Sequence, residues 1–228
     1  NQFGNRVLQQ VDLNKRKMIL KNLRQFRIGL QGPDYLFFYK PLSNNAVNRI
    51  GYRIHERPVR EFMEHAKKVI KAKGTDSPEY GYMLGFICHF ALDSECHSFV
   101  ADEIARTGVQ HIEIESEFEK FLMRKDGEDP FAYPVGKTFP TDRNTAECIA
   151  NLYEDVSVDN VLKALKSMRW YKNIFVAPGR VKHTAIDCVM RLSGQYDTIK
   201  GHLLRRKDNP KCRKSNEGLY TRFLNAVN

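Results

Sequence analysis

The sequence predicts an all-α protein, a multi-helix bundle forming a single domain over residues 1–228. Three observations carry this. Apolar residues recur at helical spacing through most long segments. Proline and glycine collect between those segments. No segment shows the apolar–polar alternation of a half-buried strand.

Residues 3–11 and 13–26 each hold apolar positions at helical spacing, and Asp12 between them is placed to cap the second. Gly29-Leu30-Gln31-Gly32-Pro33-Asp34 is a turn signal, followed by the aromatic cluster Tyr35, Phe37, Phe38 and Tyr39. Pro58 opens a helix to about Lys73. Ser77-Pro78-Glu79 combines a cap, a first-turn proline and an acid, so a strong helix starts there and runs to about Ile104. That segment is apolar almost all round, which predicts a central helix. Gly81 and Gly85 inside it suit close approach by a neighbouring backbone. A helix over 111–124 follows, then a proline- and glycine-containing loop over 125–141. Helices resume at 144–154, 159–176 and 180–192. A polar stretch with the basic run Arg205-Arg206-Lys207 precedes a last helix over 217–227.

The composition suits a folded protein, with 42% apolar and 28% charged residues. No run approaches the ~18 uncharged apolar residues of a membrane span. Lys and Arg exceed Asp and Glu by 37 to 27, giving a net charge of +10 that favours anionic partners without choosing among them. Five cysteines with no CxxC pair argue against a disulfide framework and for a reducing, cytoplasmic setting. Secretion stays open, because the sequence begins at Asn1 without an initiator Met. Cys88 and Cys96 read as buried thiols.

The chemistry is concentrated in three places. His89, Asp93 and His97 stand four residues apart in the central helix. Residues at that spacing share a face but drift by ~40° per step, so one metal ion is poorly placed to take all three, whereas two neighbouring ions can divide them. His111 and Glu115 repeat the spacing in the next helix and can ligate one ion together. Asp34 and His55 lie upstream, at or near loops. Imidazole nitrogen with carboxylate oxygen and no thiolate suits a catalytic zinc. Two imidazoles and a carboxylate in the most apolar helix are costly to bury unless paired or metal-bound. Bland readings stand beside these: Asp34 as a turn cap, the aromatics as core, and Glu113, Glu117 and Glu119 as surface charge. His65 reads as solvated, and His183 and His202 have no assigned role.

The ordered set resembles the zinc-dependent phospholipase C family, which includes the catalytic domain of bacterial alpha-toxin and is related to the fungal single-strand nucleases. The matching stretches are Gly29 to Tyr39, Ile54-His55-Glu56, Tyr82 to Asp93 and His111 to Glu115. The resemblance is nearest to a compact bacterial branch with a Gly-Pro-Asp-x-Phe-Phe-Tyr-like segment. It implies an all-helical fold around two to three zinc ions. By position, Asp34, His55, His89 and Asp93 would hold one ion and His97, His111 and Glu115 a second, with Asp93 bridging to a third. The family's early histidine would stand just ahead of residues 3–8, and no histidine precedes His55 here.

The resulting expectation is a zinc-dependent phosphoesterase, phospholipase C-like, hydrolysing a phospholipid phosphodiester with Asp34 as ligand or general base and Asp93 in the catalytic cluster. A single-strand nuclease or nucleotidase on the same cluster is the second reading, favoured by the basic charge. A metal-binding protein without turnover is the third. No protein partner is implied.

Overall fold

The computed structural model describes residues 2–56, 58–132, 138–177, 179–194 and 196–228, and no strand occurs among them. The helices are α1 (Gln2–Gln10), α2 (Leu13–Lys21), α3 (Leu23–Gly29), a 3-10 turn (Asp34–Phe38), α4 (Ala46–Glu56), α5 (Arg60–Lys73), α6 (Pro78–Thr107) and α7 (His111–Lys125). They continue with α8 (Arg143–Ala150), α9 (Val158–Phe175), α10 (Arg180–Leu192), the short α11 (Tyr196–Ile199), 3-10 turns at Lys200–His202 and Pro210–Cys212, and α12 (Arg213–Val227). The all-α expectation holds. The chain divides into two compact units, one of Phe3–Phe90 with Val135–Tyr171, the other of Ala91–Pro134 with Lys172–Asn228. Helices α6 and α9 contribute residues to both.

The first unit is organised by close backbone approach. A Cβ on Gly85 would stand 2.1 Å from the Phe26 carbonyl oxygen, and one on Gly29 would stand 2.1 Å from that of Tyr82. Only glycine allows α3 and α6 to touch this closely. The sequence expectation of one helix over 13–26 is corrected here: the chain breaks at Asn22, where φ is −117° and ψ 36°. The Asn22 side chain donates to the Asp76 carbonyl at 3.2 Å, tying the break to the start of α6. Asp12 caps α2 as expected, accepting from the backbone of Asn14 and Lys15. Ser77 accepts from the Tyr80 backbone N–H at 3.3 Å at the head of α6. Around this frame Ile28, Tyr35, Leu36, Tyr82, Phe86, Ile149, Leu152 and Leu165 form a continuous buried core.

Residues 46–56 form α4, a helix absent from the sequence reading, whose Val47 and Ile50 are buried and whose last turn carries His55, near the loop that follows. The helix begins after Asn45, whose side-chain oxygen accepts from the Asn48 backbone N–H at 3.0 Å. One further expectation is corrected, since α6 is not buried all round. Tyr82, Met83 and Phe86 are in the core, but Ile87 and Phe90 are exposed and His97 lies open to solvent. His97 therefore carries little desolvation cost, and His89 and Asp93 are only partly buried.

In the second unit α7 packs against α12 through Phe118 and Phe223, whose ring centroids are 6.2 Å apart. Glu117, expected on the surface, is buried; it pairs with the equally buried Lys120 at 2.8 Å. Lys120 also reaches Asp208 at 2.9 Å, so the buried charges are compensated on both sides. Glu119 is exposed as expected. All five cysteines are free thiols.

His202 gives this unit a pH dependence. Burial, aided by the nearby Lys172 ammonium, pushes its imidazole down to about 4, and the ring stacks on Phe175 at 5.6 Å. Unfolded, the group titrates near 6.5 and binds more protons than the folded form between these values. Its contribution is fully present above pH ~6.5 and is lost as pH falls toward 4, by about 3 kcal/mol in all. Chemical denaturation at pH 7 and 4.5 should show this loss in the wild type and a smaller one in His202→Leu.

Candidate metal centre

Within the first unit, three elements converge on one point. The turn at residues 29–34 supplies Asp34, the last turn of α4 supplies His55, and α6 supplies His89. One ligand atom from each lies within 4.8 Å of the other two, and no other group of three such residues meets this test among the described residues. The His55 Nε2 to Asp34 Oδ1 distance is 3.1 Å. Ligand atoms ~2.0–2.2 Å from a tetrahedral zinc stand roughly 3.3 Å apart, so the spacing suits a shared ion.

Each side chain is held from behind. His55 Nδ1 lies 2.8 Å from the Gly51 carbonyl oxygen, which accepts only, so that nitrogen carries the proton and donates. In the neutral ring Nε2 then presents a lone pair toward a carboxylate oxygen. Two acceptors facing each other need a cation between them or a proton on the ring. A carbonyl behind the distal nitrogen is also the usual arrangement of a metal-bound histidine. Gly51 serves twice, since a Cβ there would stand 2.8 Å from the Phe37 ring, which packs beside His55 with centroids 5.5 Å apart.

His89 is seated against Gly32. A Cβ on that residue would lie 2.1 Å from the imidazole, and Gly32 has φ +51°, so both space and backbone require glycine. Tyr82 fixes the same turn, its hydroxyl donating to the Gly32 carbonyl at 3.0 Å and lying 2.8 Å from the Tyr153 hydroxyl. Burial raises both phenols well above their usual range, which keeps them neutral. Asp34 begins the 3-10 turn, but its carboxylate faces His55 and is only partly buried.

In the second unit α7 brings His111 Nε2 and Glu115 Oε1 to 2.9 Å, as their spacing predicts. The His97 ring lies 5.8 Å from that of His111, centroid to centroid. The structure thus gathers His111 with Glu115 and sets His97 beside them, without bringing the three ligand atoms within mutual reach. Asp93 stands four residues after His89 on α6, partly buried, and is not in the Asp34–His55–His89 group. Burial pushes the neighbouring Cys88 and Cys96 thiols up to about 11, and neither belongs to the Asp34–His55–His89 group, whose donors are nitrogen and oxygen.

His65, read from sequence as solvated, is instead engaged, with Nδ1 3.1 Å from Glu154 and Nε2 3.2 Å from the Asn151 carbonyl oxygen. The supporting residues Gly32, Gly51 and Tyr82 were not singled out by sequence reasoning for this role. The signals were a glycine two residues before Asp34 and another four residues before His55.

Comparison with family descriptions matches residues 1–171 to zinc dependent phospholipase C. The match covers most of the chain, and the protein belongs to that family. No curated protein and no solved structure matches the chain. The family name denotes dependence on zinc and action on phospholipid, and the Asp34–His55–His89 group has the donors such an ion takes. No helix among the described residues is long and apolar enough to cross a membrane.

Proposed function

We propose that the chain is a phospholipase C that hydrolyses a phospholipid phosphodiester, with Asp34, His55 and His89 holding one zinc ion. His111 and Glu115, 2.9 Å apart, would hold a second ion, which the neighbouring His97 would join by turning its ring toward them, and Asp93 adds a carboxylate one helical turn beyond His89. The convergence of Asp34, His55 and His89, with the distal nitrogen of His55 on the Gly51 carbonyl, carries the reading. Zinc held by such residues supplies positive charge to phosphoryl oxygens and acidifies water at neutral pH.

The chain's own residues do the rest. Asp34 is partly open to solvent and can accept the proton of the attacking water as it adds to phosphorus. The phosphorus–oxygen bond to the glycerol carbon skeleton breaks, diacylglycerol leaves as the alcohol after taking a proton, and phosphate stays on the head group. Phe37 and the Gly51 carbonyl keep His55 from rotating away.

The experiment compares a short-chain phosphatidylcholine with a single-stranded oligonucleotide at low and moderate salt, at matched zinc loading. Head-group release should exceed oligonucleotide cleavage, and cleavage that rests on polyanion binding should fall steeply with salt. Robust oligonucleotide cleavage at both salts with no head-group release would overturn the phospholipase reading in favour of a nuclease.

A further inference from the structure

Helix α10 presents an unpartnered apolar stripe. Val181, Ala185, Cys188 and Leu192 are spaced by four, three and four residues, and Val189 adjoins them; all five are exposed, Val181 by 86% and Leu192 by 88%. The opposite side of the helix carries Met190, which is buried with Ala177 and Leu203. At ~100° per residue, Lys182 falls on one edge of the stripe and Arg180 and Arg191 on the other.

The same helix lines a cleft of about 610 Å³ with Arg180 and His183, facing Arg205, Arg206 and Lys207. Among the acids of that cleft, Glu117 pairs with Lys120 and Asp208 with Lys120 and Arg124, whereas Glu113 accepts a hydrogen bond from the neutral Asn209 amide and keeps its charge. Arg180, Arg205 and Lys207 make no ion pair among the described residues. Against the single remaining charge of Glu113, the side chains of Arg180, Arg205, Arg206 and Lys207 make the cleft net positive, and it is lined by the same helix that carries the apolar stripe.

We infer that α10 and this cleft are the docking surface for a lipid bilayer that contains anionic phospholipid. An apolar stripe edged by basic side chains is the pattern of a helix lying in the membrane interface. The partner must be apolar in depth and anionic at its surface, which a bilayer with acidic head groups satisfies. A second copy of this face would instead oppose Arg180 and Lys207 with like charges. The inference deepens the phospholipase reading and rests on it for the choice of a lipid surface.

The test is co-sedimentation of the zinc-loaded full chain with vesicles of phosphatidylcholine alone or mixed with phosphatidylglycerol. Two variants accompany the wild type, Val181→Asp with Leu192→Asp, and Arg180→Gln with Arg205→Gln and Lys207→Gln. The substituted apolar residues are exposed, and circular dichroism checks that both variants remain folded. The wild type should bind the mixed vesicles and bind neutral vesicles less. Each variant should lower the bound fraction about tenfold while hydrolysing a monomeric short-chain phosphatidylcholine at the wild-type rate. Vesicle binding with no hydrolysis by the wild type would remove the phospholipase reading and keep the docking surface. A wild type that ignores mixed vesicles, or an aspartate variant that binds them as well as the wild type, would overturn the inference. So would a wild-type dimer, seen by sedimentation equilibrium, that dissociates in the aspartate variant without any vesicle binding.

Discussion

His55→Ala should remove one zinc ion per chain and lower turnover of bis-nitrophenyl phosphate by about 100-fold or more. The imidazole is the meeting point of the site, 3.1 Å from Asp34 and held by the Gly51 carbonyl. Loss of a group that merely orients a ligand costs ~10–100-fold in metal affinity or activity, so loss of a ligand itself should reach the top of that range or exceed it. His55 lies at the last turn of α4 and is not in the core, so the fold should survive. His65→Ala is the matched control. That histidine is tied to Glu154 and the Asn151 carbonyl, and its removal should leave zinc content and turnover unchanged. Elemental analysis alongside the rate assay checks both outcomes. Equal zinc and equal rates in the two variants would take His55 out of the site.

Asp93→Asn should lower turnover by about 10–100-fold at equal zinc content, whereas Glu119→Gln should leave it unchanged. Asn keeps the shape of the side chain but removes its charge and turns one acceptor oxygen into a donor, so circular dichroism of the variant checks that the fold is kept. Asp93 lies four residues after His89 and four before His97 on one continuous helix, while Glu119 is exposed on α7. Indistinguishable rates for the two variants would show that Asp93 takes no part in the chemistry.

The helices were legible because their signals are local. The Asp12 cap on α2 and the Ser77-Pro78 start of α6 depend on a few neighbouring residues, and both are found. Spacing of four brought His111 to Glu115 for the same reason. Other features depend on contacts remote in sequence. The break at Asn22 is tied to the Asp76 carbonyl, and α4 is stabilised by burying Val47 and Ile50 against a core assembled from distant segments. Glu117 is buried, against its surface reading, because residues near 208 pack over it, the Asn209 backbone N–H donating to its carboxylate. The convergence of Asp34, His55 and His89 was implied by family resemblance, since no spacing rule joins a turn, a helix end and a helix middle. The cleft beside α10 joins residue 180 to the run at 205–207, which the sequence showed only as a basic stretch.

The most direct test of the central claim is anomalous diffraction at the zinc edge from crystals of the chain supplied with zinc. A peak should lie ~2.0–2.2 Å from ligand atoms of Asp34, His55 and His89 at once. It should vanish from that position in crystals of His55→Ala. Zinc-soaked wild-type crystals with no anomalous peak among those three side chains would contradict the account.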